Sequence, residues 1–325
     1  MYRKKNPISG LKGNERIEDI FVVKIKKGIF PYVNGYYFHL LLSDAEGKNI
    51  DYKYWGEKDE AKVRALYESI EPDAVVLVQG RTAIYMGTLQ IATNHPDTIK
   101  VLGEGEYDPS DFVKKSKRDI GEMVQELRGL IASVQNPEIK RLLERIFIED
   151  EAFMDKFKQH PAAIQIHHNW AGGLIEHSLQ LARYCEASKA VFPELDRDLM
   201  IAGALLHDIG KLSEIQVTTR IKGTKEGQLI GHIPIGYSTL SDIMEETKIS
   251  DELRMKLLHI VLSHQGQMEY GSPKEPMFPE AVAVYLADEL SSKLAEIIEF
   301  VGESKKGTED DFMYHNRHRR NIYLK

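Results

Sequence analysis

The residues with the most chemistry to offer are a histidine–aspartate pair, His207–Asp208, in the stretch AGALLHDIGKL at residues 202–212. The apolar run over residues 199–206 predicts a buried helix, and Gly210 ends or loosens it just past the pair. An imidazole and a carboxylate at the end of such a helix are costly unless charge or coordination compensates them. Adjacent helical residues project about 100° apart, so the two can share a metal only if other segments complete the shell. A dipeptide of this kind standing alone reads as a helix-end histidine bonded to its neighbour.

It does not stand alone. His177 lies in GGLIEHSLQLARYC, where Leu174, Leu179, Leu181 and Ala182 follow a Gly-Gly start at helical spacing. His232 lies in LIGHIPIG, His264 in VLSHQGQ and Asp288 in AVAVYLADELSSK, each in or beside an apolar segment. Histidines and carboxylates brought in by several bundle helices are a known way to build a dinuclear site. Imidazole-rich ligation disfavours Mg2+ and suits Mn2+, Fe2+, Co2+ or Zn2+. Two such cations about 3.5–4 Å apart clamp the attacking and leaving oxygens of a phosphodiester and lower the pKa of water. Lys211, one turn on, is expected to reach a phosphate oxygen or Asp208, with capping of the helix C-terminus as the alternative. Glu176 is expected to support the site from behind His177. His259 falls on a different helix face from His264 and reads as structural or exposed. His39, His95, His160, His315 and His318 belong to no constellation in the sequence.

This ordered set resembles the HD-domain phosphohydrolase superfamily: one histidine, the His-Asp pair, further histidines and a distal aspartate. The resemblance implies that His177, His207, Asp208 and Asp288 hold one metal. Asp208 would then bridge to a second metal held by His232 and His264. His167 and His168, in HHNWAGG, would touch substrate or hydrogen-bond the turn before the His177 helix. The family's histidine in this stretch favours a catalytic role for His168.

The chain has 325 residues, 42% hydrophobic and 29% charged, which suits one large or two ordinary globular domains. A single cysteine, Cys185, excludes an internal disulfide, fits a reducing compartment and reads as a core residue. No apolar run approaches a membrane span, and residues 1–10 lack a hydrophobic signal core, so a soluble intracellular protein is expected. The net charge of −7 argues against a purely electrostatic nucleic-acid binder, but it divides as +2 over residues 1–102 and −9 over the remainder.

Residues 15–102 read as strands. Residues 20, 22 and 24 alternate with 21, 23 and 25, a hairpin turns near residues 44–47, and a short helix covers residues 59–69. A second hairpin follows, broken at Gly87. Three strands, a helix and two strands is the order of an OB-fold barrel, whose exposed face commonly binds oligonucleotides. Its candidate nucleic-acid face draws on Tyr36, Phe38, Tyr52, Tyr54, Trp55, Arg81 and Tyr85, interleaved with Lys24, Lys26, Lys27 and Lys53. About half of such aromatics must point into the barrel. Residues 103–117 read as a boundary and residues 118–157 as helical lead-in, with Pro137 opening a second helix. The bundle itself spans about residues 160–302. VTTRIKGTKEGQLI, with Arg220, Lys222 and Lys225, reads as an exposed hairpin at the mouth of the site. The tail YHNRHRRNIYLK either contacts RNA or is a disordered end. The expected organisation is multidomain: an all-β OB-fold barrel (1–105), a helical lead-in (106–159) and an all-α bundle with a basic tail (160–325).

An OB module followed by HHNWAGGLIEHS, LLHDIGKL, GHIPIG and LSHQG is similar to the YhaM-type 3′→5′ exoribonucleases over nearly the whole chain. The resemblance implies Mn2+-dependent removal of nucleotides from single-stranded RNA, and ssDNA as well, by a cytoplasmic homo-oligomer without membrane contact. Two rivals stay open. One is a dNTPase or cyclic-nucleotide phosphodiesterase with a regulatory OB module. The other is a metal-bound, inactive nucleic-acid binder.

Overall fold

The computed structural model describes residues 1–164, 168–305 and 307–325. They divide into two compact units, Met1–Lys114 with Val217–Ile221, and Lys115–Gln216 with Lys222–Lys325.

The first unit is a closed barrel. Strands β1 (Arg16–Tyr32), β2 (Gly35–Ser43), β3 (Asn49–Trp55), β4 (Val75–Tyr85) and β5 (Thr88–Asn94) run in the order β1-β2-β3-β5-β4, and β1 pairs again with β4 to close it. This is the OB-fold topology expected from the element order, with helix α1 (Glu60–Glu68) between β3 and β4. Register shifts at Val23/Ile25 and Lys26/Gly28 bend β1 so that its two halves serve β4 and β2. The final hairpin departs from a single long strand. A turn at His95–Pro96 interrupts it, since proline cannot donate to a ladder, and β6 (Ile99–Val101) pairs instead with β4. Phe38, Leu40, Leu42, Tyr52, Val76 and Ile91 fill the interior. Outside it, Ile20, Val22 and Val75 are covered by Leu102 and Phe112, so part of the stretch expected as a bare boundary packs onto β1.

The second unit is helical. Acidic or amide side chains start its early helices by accepting from the first free N–H groups: Asp119 for α2 (Ile120–Ser133), Asn136 for α3 (Pro137–Glu144), Asp150 for α4 (Glu151–Gln159). They pack on α5 (Gly173–Val191), α6 (Arg197–Leu206), α9 (His232–Thr247), α10 (Asp251–Ser263) and α11 (Pro279–Ser304) around one apolar core that includes Cys185. Helix α7 (Lys211–Glu214) precedes the short hairpin β7 (Ile215–Val217) and β8 (Ile221–Gly223). Downstream of it the sequence expected as hairpin is helix α8 (Lys225–Ile230). The tail is ordered as strands β9 (Phe312–His315) and β10 (Arg320–Tyr323), so it is no disordered end. Among the described residues no helix is long and apolar enough to cross a membrane.

Candidate active site and nucleic-acid face

Helix α6 is buried along nearly its whole length and ends at His207, whose N–H donates to the Gly203 carbonyl at 2.9 Å. Gly210 does not stop this helix through a left-handed turn, because its φ is −63°. Its role is close approach: a Cβ there would sit 1.9 Å from the His232 carbonyl oxygen. The Gly-Gly start of α5 works similarly. A Cβ on Gly173 would lie 2.1 Å from the His168 carbonyl oxygen, so glycine lets that turn rest on the first turn of α5. His168 is thereby buried, with its ring 5.2 Å from those of His177 and Trp170. His167 lies outside the described residues.

All six expected side chains converge. His177 Nε2 is 3.1 Å from Asp288 Oδ1 and 3.3 Å from His207 Nε2. Asp208 directs one oxygen to each side. Its Oδ2 is 3.2 Å from His207 Nε2 and 3.7 Å from His177 Nε2. Its Oδ1 is 3.6 Å from both His232 Nε2 and His264 Nε2. Among the described residues, His177, His207 and Asp288 form one group of donors within 4.8 Å of one another, and Asp208, His232 and His264 form another.

The far nitrogen of each ring is held from outside. His207 Nδ1 donates to the Ala204 carbonyl at 3.0 Å and His264 Nδ1 to the Val261 carbonyl at 2.8 Å. His232 Nδ1 is 3.2 Å from Glu214 Oε1. His177 Nδ1 is 3.3 Å from the Ser291 hydroxyl, which donates onward to Gln180. With a cation bound, a proton on Nδ1 alone would leave each Nε2 lone pair for the metal, the usual setting of a metal-binding histidine.

Burial opposes charge throughout this centre. It pushes the His264 imidazole down to about 3, helped by the neighbouring His207. Burial also resists ionisation of Asp208, yet Lys211 and His207 hold its carboxyl well below the usual carboxylate range. Asp288 is likewise held low against burial by the hydrogen bond and charge of His177. Burial lowers His207 and Lys211 less than Asp208 and Asp288 raise them. The carboxylates are therefore ionised at neutral pH and His264 is neutral. Lys211 Nζ donates to Asp208 Oδ2 at 2.6 Å, the second of its expected partners, and it opens α7 rather than ending α6.

These residues fit divalent cations. Asp208 Oδ1 is buried with no hydrogen-bond partner, facing the Nε2 atoms of His232 and His264. Two donors on one cation with bonds near 2.1 Å lie roughly 3.0–3.5 Å apart, close to the separations above.

On the barrel, strand alternation sorts the aromatics. Tyr36, Phe38, Tyr52 and Tyr54 share the inner face. Phe38 is fully buried, its ring stacked 4.8 Å from Tyr54, so Phe38 and Tyr52 are core residues and not part of an exposed face. Tyr36 and Tyr54 pack against that core at one end of the barrel. Trp55 points outward, its ring 4.7 Å from that of its cross-strand partner Tyr37, with Tyr32 and Phe30 continuing the row. Lys53 lies 5.0 Å from the ring of exposed Tyr85, and Arg81 is exposed on the same ladder. Lys26 sits on the Tyr67 ring and Lys27 pairs with Asp51.

A family model described as HD domain matches residues 174–293. The helical unit thus contains an HD domain. Among solved structures, the HD domain of the L. monocytogenes phosphodiesterase PgpH aligns with 53% of this chain and 84% of that one, at 14% identity and a TM-score of 0.29. A replication protein A heterotrimer bound to ssDNA aligns with 37% of this chain and 29% of that one, at 21% identity and a TM-score of 0.26. The p204 HINb domain aligns with 30% of this chain, at 12% identity and a TM-score of 0.24, and the match spans 47%, about half, of that chain.

Within the HD domain, sequence reasoning missed Ser291, which meets His177, and Gln265, whose amide is 3.4 Å from His232 Nε2. It also missed Glu214, on the neighbouring α7. Glu176 does not touch the centre; its carboxylate accepts from Trp170 Nε1 and Ser116 Oγ, both at 2.8 Å. His259 is structural, accepting the Met277 N–H. On the barrel, Tyr37 was missed because Tyr36, Tyr37 and Phe38 are consecutive aromatics and no alternation marks the outward one.

Proposed function

We propose that this chain is a metal-dependent 3′→5′ exonuclease that hydrolyses phosphodiesters of single-stranded RNA, and of ssDNA as a second substrate. The observation that carries the reading is the two-sided Asp208, with one oxygen toward His177 and His207 and an unpartnered one toward His232 and His264. In this reading His177, His207, Asp208 and Asp288 hold one divalent cation, and Asp208, His232 and His264 hold a second. When bound, such cations, Mn2+ first among them, polarise the phosphoryl group and make water a nucleophile near neutral pH.

The protein's own part is positioning. The outer hydrogen bonds on Nδ1 keep four imidazoles in one tautomer, so no reorganisation is needed when substrate arrives. Lys211, charged at working pH, turns its ammonium from Asp208 toward a non-bridging phosphate oxygen. His168 acts from beside His177, packing that ring in place. On the barrel, Trp55, Tyr37 and Tyr85 offer faces for bases, with Lys53 and Arg81 for phosphates. The resemblance to YhaM-type enzymes supports the polarity, the RNA preference, a cytoplasmic setting and a homo-oligomer. It also supports assigning residues 1–105 to substrate capture, 106–159 to the lead-in and 160–325 to catalysis.

The test is 5′-labelled single-stranded RNA incubated with Mn2+. A ladder that shortens nucleotide by nucleotide, absent in Asp208→Ala, is the expected result. Intact RNA with hydrolysis of free nucleotides would favour the nucleotide phosphohydrolase, and a gel shift without cleavage would favour the inactive binder.

A further inference from the structure

The ordered tail builds a second His/carboxylate centre, at residues expected to belong to no constellation. Glu296, further along α11 than Asp288, is buried although it is a carboxylate. The β9–β10 hairpin folds His315 and His318 over it. His315 Nε2 is 3.6 Å from Glu296 Oε1 and His318 Nε2 is 3.4 Å from Oε2. Among the described residues these three form a group whose donor atoms all lie within 4.8 Å. The ring of Phe300, 4.5 Å from that of His315, closes one side. Arg317 is the only side chain besides the two histidines paired with Glu296 among the described residues, at 3.3 Å, and its guanidinium is largely exposed.

One feature marks this cluster as under-compensated. The His318 Nε2 is buried and makes no hydrogen bond, and buried polar atoms are rarely left so. The two spacings from imidazole nitrogen to carboxylate oxygen, 3.6 and 3.4 Å, are close to the edge of a tetrahedron, about 3.4 Å for bonds of 2.0–2.1 Å.

We propose that Glu296, His315 and His318 bind one Zn2+ in a structural site that ties the C-terminal hairpin to α11, the helix that carries Asp288. Two imidazoles and a carboxylate suit zinc, with a fourth position left for a small donor. In the metal-free chain the His318 N–H faces His315 Nδ1 at 3.3 Å, so the ring proton resides on Nε2. Binding moves that proton to Nδ1, the Nε2 lone pair forms the bond to zinc, and the long contact to the His318 N–H is given up. This site stands or falls independently of the dinuclear reading.

The experiment counts zinc on the full-length chain, stripped with chelator, reloaded with Zn2+ and passed through a desalting column before elemental analysis. The His315→Gln/His318→Gln double variant is expected to carry one equivalent fewer than the wild type, while Asp208→Asn/His264→Gln keeps that equivalent. Equal zinc on the wild type and the hairpin variant overturns the proposal. A second reading needs no variant: Zn2+ is expected to slow tryptic cleavage of the wild type at Arg317, Arg319 and Arg320 at least tenfold. An unchanged cleavage rate overturns it as well.

Discussion

Lys211 Nζ lies 2.6 Å from Asp208 Oδ2, the oxygen that also faces His177 and His207. The pair sets a fixed positive charge beside the carboxylate that both halves of the centre share. Replacing Lys211 by methionine keeps the apolar stem and removes the ammonium. RNA cleavage in single turnover is then expected to slow about 10²–10³-fold, the usual cost of one charge-stabilising donor, with bound metal retained. An unchanged single-turnover rate would remove Lys211 from the chemistry.

Glu214 holds the far nitrogen of His232 and also accepts the His232 backbone N–H at 3.1 Å. Glu214→Gln leaves the shape but weakens the hold on the Nδ1 proton. Affinity for the divalent cation is expected to fall about 10–100-fold, read by competition with a chromophoric chelator. Equal affinity in variant and wild type would contradict an orienting role.

Trp55 and Phe38 separate binding from folding on one barrel. Trp55→Ala is expected to weaken binding of single-stranded RNA by about 1–3 kcal/mol, read by fluorescence anisotropy. Phe38→Ala is expected to destabilise the protein by about 3–5 kcal/mol in urea unfolding, because its ring is sealed in the core. Reversed sensitivities would place the nucleic-acid face elsewhere.

Part of this organisation is legible in the sequence. The all-apolar run of α6, the helical lead-in with Pro137 opening its second helix, and the order of strands around α1 announce a barrel followed by a bundle, and the spaced histidines announce a shared centre. The faces of the aromatics were not legible, since three consecutive rings at residues 36–38 carry no alternation and only the pairing of Tyr37 with Trp55 decides which points out. The reason for Gly210 was hidden too: its neighbour is the carbonyl of His232, supplied by a later helix. His315 and His318 gain meaning only when the hairpin folds onto Glu296, a contact no local pattern encodes.

His160 makes acid stability sensitive to one ring. Burial pushes its imidazole down to about 4, and its Nε2 meets the Lys211 carbonyl at 3.0 Å. The folded value lies below the unfolded one of about 6.5, so its contribution is fully present above that pH and is lost as pH falls toward 4. Urea unfolding of metal-free protein at pH 7 and pH 4.5 is expected to show wild type losing roughly 2 kcal/mol more than His160→Gln across that interval. Parallel losses in the two proteins would contradict the assignment.

Crystals grown with Mn2+ and measured for anomalous scattering address the shared carboxylate most directly. Two peaks are expected, one within about 2.2 Å of Asp208 Oδ2 beside His177, His207 and Asp288, the other equally near Oδ1 beside His232 and His264. A single peak, or a pair that leaves either Asp208 oxygen unligated, would contradict the account.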